Sequence, residues 1–393
     1  MNPRPHIAIV IGTRPEAIKL YPVLDAFGPA VAAGDVRISV VSTGQQRQLL
    51  DQAFGFFGIQ PDADLGVMGR PDEPLGSVFA RTVAAMTAWM HELPGGPPSR
   101  VVVQGDTLSA HAGATAAFYA GVPVSHVEAG LRTWDNERPF PEELHRRAIA
   151  LAADQHFCPT PGALANLRSD GIDTQSAHVV GNSVIDAMRL CADRIARPTD
   201  LPKRPEQRLF VTVHRRENLP LLATEILPAL RRLVADHPNV DAIVPVHPNP
   251  AVGSAIARVV DGCDRITTIP PVAYGQSLGL VRDATLVVTD SGGLQEEATA
   301  LGTPVVVLRG VSERTEAIDD GNAILAGTSA VAIARVIHGL LSDPAALAAM
   351  ARPNDVFGDG HAASRIVASV LSIWGIVPRA ADSFAAQLRE GAA

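Results

Sequence analysis

Short runs of β-branched residues alternate with longer amphipathic segments along most of this 393-residue chain. The alternation is typical of a parallel sheet covered by helices on both faces, because each parallel strand needs a long crossover to reach its neighbour. The pattern therefore predicts an α/β fold. At roughly 100 to 200 residues per domain, a chain of this length predicts two or more domains, each with its own core.

A segment rich in proline and charge, at residues 197–208, separates two series of predicted elements. The first series has predicted strands at 6–11, 37–42, 99–103, 123–127, 155–158 and 178–180. The second series has predicted strands at 209–213, 242–246, 266–269, 284–288 and 304–308. Because the architecture repeats, we expect two similar lobes that face one cleft. We place the first lobe at 1–184 and the second at 185–362, with a C-terminal helix, 363–393, that joins the first.

The amino-acid composition limits the classes of molecule that this protein is expected to bind. Asp and Glu number 41 against 33 Lys and Arg, a net charge of −8, which disfavours binding to nucleic acid or to an anionic membrane but allows a local phosphate site. Three widely separated cysteines predict neither a disulfide framework nor a zinc-ligand pair. Residues 1–14 do not resemble a signal peptide, and 107–127 do not resemble a membrane span. We therefore expect a cytoplasmic location.

A glycine turn, two cations and an early proline follow the first predicted strand, in residues 12–19 (GTRPEAIK). A proline in the first turn is typical of a helix start, where anions bind readily. Arg14 and Lys19 are therefore candidate phosphate ligands, although a capped helix with a surface arginine would have the same pattern. The segment lacks the ending of a nucleotide P-loop, and no Gly-x-Gly-x-x-Gly follows a predicted strand, which disfavours ATP hydrolysis and a tightly bound dinucleotide.

Small residues lead from a predicted strand into a helix at residues 287–297 (VVTDSGGLQEE). Backbone N–H groups at a helix start can hold a phosphate, and a carboxylate one turn further on can accept hydrogen bonds from both ribose hydroxyls. The candidate ligands are Ser291, Gly292, Gly293, Glu297 and, downstream, Arg314. This pattern predicts a site for a nucleoside diphosphate, with a simple tight turn as the alternative.

Three acidic residues follow predicted strands or loops of the first lobe: Asp106, Glu128 and Glu142. Carboxylates that meet at one cleft repel each other unless they transfer protons, bind a metal or pair with cations. Metal binding is the weaker interpretation because no organised set of histidines lies nearby. Taken singly, Asp106 could be a helix cap and Glu142 a first-turn carboxylate.

A histidine ends the first predicted strand of the second lobe. His214 in residues 212–218 (TVHRREN) could meet phosphates or a departing group, and the adjacent arginines would add charge. His247 follows the next strand in an equivalent place and is a weaker candidate.

Together these motifs resemble the UDP-N-acetylglucosamine 2-epimerase family, in its non-hydrolysing bacterial type. The similarity covers nearly the whole chain in order, through residues 12–19 (GTRPEAIK), 105–107 (GDT), 126–132 (HVEAGLR), 181–186 (GNSVID), 214–217 (HRRE), 290–297 (DSGGLQEE) and 313–317 (ERTEA). The resemblance implies the glycosyltransferase-B architecture, with two Rossmann-like lobes, a central cleft and a homodimer. It also implies reversible inversion at C2 between UDP-GlcNAc and UDP-ManNAc, with no cofactor or metal.

The resemblance also assigns residues to roles. It implies that Asp106, Glu128 and Glu142 are catalytic carboxylates, without saying which serves which ring face, and that His214 is the active-site histidine. The residues that it implies as UDP contacts are Arg14, Ser291, Gly292, Gly293, Glu297 and Arg314, with Lys19 as a supporting cation. Two alternatives stay open: a hydrolysing relative that releases ManNAc and UDP, and a sugar transferase of the same architecture.

Some positions depart from the family pattern. Gln46 stands where the family commonly has His, residues 69–74 (GRPDEP) replace a Gly-Gln pair, and His145 replaces a usual Asn. Trp134 and Pro220 replace usual glycines. Many bacterial members bind a second UDP-GlcNAc as activator, and the altered segments resemble parts of that second site. We therefore predict that activation by UDP-GlcNAc is weakened or absent, so that kinetics from UDP-ManNAc are hyperbolic without added UDP-GlcNAc.

Overall fold

The computed structural model describes residues 4–70, 73–199, 201–202, 206–213, 215, 218–246 and 250–377. Contacts between residues divide the chain into two compact units. The N-terminal unit is Met1–Leu190 with Gly358–Ala393, and the C-terminal unit is Cys191–Phe357. These boundaries lie six residues after and five residues before the ones predicted at 184/185 and 362/363. Residues 378–393 of the predicted C-terminal helix lie outside the described residues.

The described part of the N-terminal unit contains a parallel sheet with the order β3-β2-β1-β4-β5-β6-β7. Its strands are β1 (His6–Ile11), β2 (Arg37–Ser42), β3 (Ala63–Asp64), β4 (Arg100–Gln104), β5 (Val124–Val127), β6 (Gln155–Cys158) and β7 (Ala177–Val179). Its helices, apart from the last, are α1 (Arg14–Ala32), α2 (Arg47–Phe57), α3 (Leu75–Glu92), α4 (Leu108–Tyr119), α5 (Glu142–Ala152), α6 (Pro161–Ser169) and α7 (Ser183–Leu190).

Burial on both faces explains why the central strands β1 and β4 are rich in apolar residues. Val10 and Val103 pack with Met86 of α3 and Ala114 of α4 on one face, and all four side chains are fully buried. Burying a side chain of this size contributes roughly 1.5–3 kcal/mol. The core therefore holds the strand ends, and the loops that follow them, in fixed positions.

The C-terminal unit has a second parallel sheet in its described residues, with the order β10-β9-β8-β11-β12-β13. Its strands are β8 (Gln207–Thr212), β9 (Val240–Pro245), β10 (Ile266–Ile269), β11 (Leu286–Thr289), β12 (Val305–Val307) and β13 (Ala323–Leu325). Its helices are α8 (Leu219–Leu221), α9 (Leu227–Asp236), α10 (Pro250–Val260), α11 (Tyr274–Asp283), α12 (Gly292–Leu301), α13 (Thr315–Asp319), α14 (Ala330–Ser342) and α15 (Pro344–Met350). The last helix among the described residues, α16 (Ala362–Ser372), packs on α1 and α7 of the N-terminal unit.

The sequence predictions hold for every strand that they named, with ends shifted by up to two residues. The edge strands β3 and β13 were not predicted. A π-helical turn, Leu222–Ile226, precedes α9. Pro228 has no amide hydrogen, so the regular hydrogen-bond ladder breaks there.

Among the described residues, no single helix is both long and apolar enough to cross a membrane. The neighbouring helices α14 and α15 meet the length and composition criterion only when they are taken together, and they form a pair bent by 99°.

Candidate active site

Some of the predicted site residues follow the strands at which the order of each sheet reverses. This reversal falls between β1 and β4 in the N-terminal unit and between β8 and β11 in the C-terminal unit. Arg14 and Asp106 follow β1 and β4, whereas Arg215 and Ser291 follow β8 and β11. Loops that leave two such strands diverge to opposite faces, and open parallel sheets bind ligands in the resulting crevice. Each unit therefore brings its candidate residues to its own switch point.

The turn after β1 directs a backbone donor towards a buried carboxylate. Glu16 Oε2 accepts a hydrogen bond from Gly12 N–H at 2.9 Å, and Thr13 caps α1 by accepting from Glu16 N–H at 3.5 Å. A Cβ atom on Gly12 would lie 1.9 Å from Ser109 Oγ, so only glycine fits there. Because Gly12 N–H is already bonded to Glu16, the anion contact predicted for this segment depends on the partly buried Arg14 guanidinium.

Asp106 lies in the turn between β4 and α4, and buried groups of α5 hold it. Its Oδ2 pairs with Arg146 Nη2 at 2.5 Å, and His145 Nδ1 donates to its carbonyl oxygen at 3.0 Å. The residue that caps α4 is Thr107, whose hydroxyl accepts from Ala110 N–H at 2.9 Å. The interpretation of Asp106 as a helix cap is therefore wrong.

Glu128 follows β5 with φ +65°, a left-handed conformation that residues other than glycine rarely adopt. Lys19 Nζ lies 2.7 Å from its Oε2, and each of these two side chains is only 6% exposed. Gln104 Nε2 donates to the same oxygen. Backbone strain of this kind costs about 1–3 kcal/mol and persists where surrounding groups hold it. Here Lys19 on α1 and Gln104 on β4 provide the support.

Glu142 is the first residue of α5 and is partly buried. Its carboxylate complements the positive end of the helix dipole, as the structural interpretation of this residue predicted. Arg146, one turn further along α5, pairs with Asp106, so the start of α5 lies beside the turn that carries Asp106. Glu16 on α1 accepts from the Thr107 hydroxyl at 2.6 Å, and Lys19 on the same helix pairs with Glu128. These contacts connect the segments that carry all three predicted catalytic carboxylates.

In the C-terminal unit, the start of α12 lies against an arginine. A Cβ atom on Gly292 would lie 2.4 Å from Arg314 Cζ, so glycine at this position lets the guanidinium approach the helix end. A Cβ atom on Gly293 would meet no atom within 4 Å, so packing does not require glycine there. Ser291 precedes the helix, and its N–H donates to Thr289 Oγ1 at 3.0 Å. The structure thus brings Arg314 to the predicted phosphate-binding turn.

Three arginines surround one buried carboxylate next to this turn, and we call this group the arginine cluster. Glu313 pairs with Arg309 at 2.7 Å and with Arg215 at 3.4 Å, and it also pairs with Arg314. Arg314 Nε lies 2.8 Å from Glu296 Oε1. Burial lowers the pKa of Arg309, because little water reaches this side chain to stabilise its charge. Planar guanidinium groups fixed in this way are suited to bind phosphate oxygens.

The loop after β8 is fixed by Asp290, a residue that sequence reasoning did not single out. Its Oδ2 accepts from Arg215 N–H at 3.1 Å and from Asn218 Nδ2 at 3.0 Å. The two predicted histidines, His214 and His247, lie outside the described residues.

Comparison with known proteins identifies the family. The family model described as UDP-N-acetylglucosamine 2-epimerase matches residues 30–371. The UDP-N-acetylglucosamine 2-epimerase of Yersinia pestis is 38% identical over 371 residues, covering 92% of this chain and 97% of the relative. The chain belongs to the UDP-N-acetylglucosamine 2-epimerase family. The Bacillus subtilis enzyme of the same name is 36% identical over 388 residues, covering 96% of this chain and 98% of its own.

A solved structure supports the same assignment. The UDP-GlcNAc 2-epimerase of Neisseria meningitidis, bound to UDP-GlcNAc, is 32% identical, with a TM-score of 0.86, and it covers 93% of this chain and 100% of its own. The family resemblance seen in the motifs and the α/β fold with two Rossmann-like lobes are both confirmed.

Two histidines near Asp106 have lowered pKa values in this epimerase-family chain. Burial lowers the pKa of His126 to about 3, and its Nε2 contacts the Gly105 carbonyl at 2.7 Å, which only an N–H can do as donor. Burial also lowers the pKa of His145, whose Nδ1 therefore donates to Asp106 as N–H. His145, which departs from the usual family residue, thus still serves as a hydrogen-bond donor to the turn that carries Asp106.

Sequence reasoning missed several side chains that hold this site. Glu16, Gln104, Arg146 and Glu313 were not singled out, although Arg146 is one turn from Glu142 on a predicted helix, which could have signalled it. Among the described residues, no group of three or more His, Cys, Asp or Glu side chains is arranged to hold a metal ion.

Proposed function

We propose that this protein catalyses the reversible epimerisation of UDP-GlcNAc to UDP-ManNAc at C2, without net hydrolysis. The observation that carries the proposal is a division of charge between the units. Carboxylates held by buried cations follow β4 and β5, and the arginine cluster lies next to the turn after β11. The Neisseria relative, which is bound to UDP-GlcNAc, supports the choice of substrate.

The chemistry requires both kinds of group. The C2 hydrogen of the sugar has no neighbouring carbonyl that would make it acidic, so direct removal at neutral pH is implausible. When the C1–O bond breaks and UDP departs with the bonding electrons, C1 gains oxocarbenium character and the C2 proton becomes acidic. A carboxylate then removes that proton and leaves 2-acetamidoglucal. Delivery of a proton to the opposite face of C2 and return of UDP to C1 complete the epimer.

Asp106, Glu128 and Glu142 are the proposed proton-transfer groups. Asp106 is paired with Arg146, and Glu128 is paired with Lys19, so a cation offsets the negative charge of each carboxylate. His214 is the proposed histidine of the second lobe, at a position outside the described residues.

In the N-terminal unit the proposed UDP ligands are Arg14, for the pyrophosphate, and Lys19 as a supporting cation. In the C-terminal unit Ser291, Gly292 and Gly293 would hold phosphate, and Arg314 would stabilise the charge of departing UDP. Glu297, which is buried on α12, would accept from the ribose hydroxyls. No cofactor or metal takes part in this proposal.

Proton NMR of UDP-GlcNAc incubated with the enzyme in deuterated water tests the reaction. We expect UDP-ManNAc to appear and deuterium to enter C2 of both nucleotide sugars, with little free UDP. Accumulation of ManNAc and UDP would indicate the hydrolysing reaction instead. Absence of turnover until an acceptor sugar is added would indicate a transferase, and product that keeps its original C2 hydrogen would contradict proton transfer.

We also propose that the enzyme is a cytoplasmic homodimer. On the exposed side of α5, Leu144 and Leu151 lie two turns apart and are 52% and 76% exposed. Phe118 and Tyr119 at the end of the adjacent α4 are 59% and 81% exposed. A second copy would cover these apolar side chains. Light scattering after size-exclusion chromatography should give twice the chain mass, and Leu151→Glu should lower it; a monomeric wild type would contradict the proposal.

A further inference from the structure

Glu16 is a fully buried carboxylate that the proposed reaction does not use. Its two oxygens bond to different segments of the chain. Oε2 accepts from Gly12 N–H at 2.9 Å, in the turn after β1, and Oε1 accepts from the Thr107 hydroxyl at 2.6 Å, in the turn after β4. Since β1 and β4 flank the switch point, this one side chain ties together the two loops that meet there.

The role of Glu16 in capping α1 explains only one of its two hydrogen bonds, the one from Gly12 N–H. In a capping box the third helical residue bonds back to the backbone at the start of its own helix, and Thr13 with Glu16 has this pattern. The bond from Glu16 to Thr107 crosses 91 residues to another helix and contributes nothing to that cap. A cap alone would not need a second buried acceptor atom directed at α4.

The hydroxyl of Thr107 has one proton, and its direction is set by its neighbours. The oxygen accepts from Ala110 N–H at 2.9 Å to cap α4, which leaves the proton to be donated to Glu16. Thr107 is thereby held from both sides, and Asp106 is the preceding residue. His126 and His145 donate to the carbonyl oxygens of Gly105 and Asp106, so every residue of this turn has a buried partner.

We propose that Glu16 is a positioning residue, which holds the Asp106–Thr107 turn so that the Asp106 carboxylate has the correct orientation for proton transfer. This inference rests on the proposed function, in which Asp106 transfers a proton. Burial raises the pKa of Glu16 to about 7, while hydrogen bonds from Thr107 and Gly12 act in the opposite direction by favouring the ionised form. Burial of a carboxylate is unfavourable, so its presence at this position fits a role in which both oxygens are needed as hydrogen-bond acceptors.

Steady-state kinetics of two variants test the role, after wild-type epimerisation and C2 exchange have been measured in deuterated water. Glu16→Ala removes both bonds, and Thr107→Val removes the hydroxyl at nearly constant volume. We expect each to lower kcat at least tenfold, with KM and the Kd for UDP within threefold of wild type. Thr107→Ser keeps the hydroxyl and should keep kcat within threefold.

A double-variant cycle tests whether the two residues act through their shared bond. If they do, Glu16→Ala combined with Thr107→Val lowers kcat no further than the more damaging single change. Multiplied effects would overturn the inference, and so would wild-type kcat in either single variant. Should Glu16→Ala fail to fold, the contrast between Thr107→Val and Thr107→Ser decides the question alone.

Matched controls separate positioning from loss of stability. Asp186 is another buried carboxylate of the N-terminal unit, and it accepts from Ala362 and Ala363 N–H at the start of α16. Thr160 caps α6 as Thr107 caps α4, by accepting from Ala163 N–H at 3.1 Å. Asp186→Asn and Thr160→Val should lower the melting temperature but leave kcat unchanged. An equal loss of kcat in these controls would overturn the inference, whereas a wild type without C2 exchange would overturn the proposed function itself.

Discussion

The two units share one architecture but arrange their charged side chains differently. In the N-terminal unit, single buried cations hold two carboxylates that follow strands, Arg146 for Asp106 and Lys19 for Glu128. In the C-terminal unit, three arginines surround the carboxylate of Glu313, and one of them, Arg314, also pairs with Glu296. Similar sheets thus present different chemistry, because the loops after the strands vary while the strands keep the core. We infer that the proton-transfer carboxylates belong to the N-terminal unit and that most of the proposed diphosphate ligands belong to the C-terminal unit.

The largest expected effect of a single substitution is at Asp106, in the N-terminal unit. Asp106→Asn keeps the size of the side chain but removes its basicity, so interconversion should fall by about 10²–10⁴-fold. UDP binding should stay within a few-fold of wild type, because the proposed diphosphate ligands are other residues. NMR of interconversion and calorimetry with UDP measure the two effects. Normal turnover in this variant would remove Asp106 from the reaction.

At Arg314 we expect the opposite result, with UDP binding as the property that is chiefly weakened. Arg314→Ala removes charged hydrogen bonds of about 1.5–3 kcal/mol, so the Kd for UDP should rise about 10- to 100-fold. Arg352, which is 61% exposed and lies 3.6 Å from Asp320, provides a matched arginine in the same unit. Arg352→Ala should leave the Kd unchanged. Equal affinities in the two variants, measured by calorimetry, would contradict the assignment of the diphosphate to the arginine cluster.

We expect a smaller effect of acid on the stability of the protein, and it depends on a histidine of the N-terminal unit. His126 in the N-terminal unit has a folded pKa lowered to about 3, against an ordinary value of 6.5. Between these values the unfolded chain binds a proton that the folded chain does not, so stability present above pH 6.5 is lost as the pH falls. At pH 5 the loss is about 2 kcal/mol. His126→Gln can keep the donor to Gly105, and it should therefore reduce the fall in melting temperature between pH 7 and pH 5.

If the melting temperature of His126→Gln fell between pH 7 and pH 5 as much as that of wild type, the neutral buried state of His126 would be wrong.

Much of the fold could be predicted because it depends on local patterns. The strands at His6–Ile11 and Arg37–Ser42 were predicted with their observed ends, since continuous apolar runs bounded by polar turns are sufficient to define them. Thr13 and Glu16 have the spacing of a capping box, which predicts where α1 begins. The segments that carry Asp106, Glu128 and Arg314 were also predicted, because each follows a strand or an adjoining turn.

The contacts within the site could not be predicted in the same way. Lys19 was expected to support the nucleotide, and it lies against Glu128, 109 residues away in the chain. Asp106 was open to interpretation as a helix cap until Thr107 was found in that role. No local pattern could indicate that Glu313 binds Arg215 across 98 residues.

The sequence alone therefore determined the α/β class, the approximate positions of most strands and the family. Only the tertiary structure decided which charged side chains pair, and hence that Glu16 connects the two turns at the N-terminal switch point. The physical reason is the separation along the chain of the residues that interact. Strand and helix patterns depend on neighbours within a few residues, whereas ion pairs and buried hydrogen bonds depend on which strand ends the sheet order places side by side.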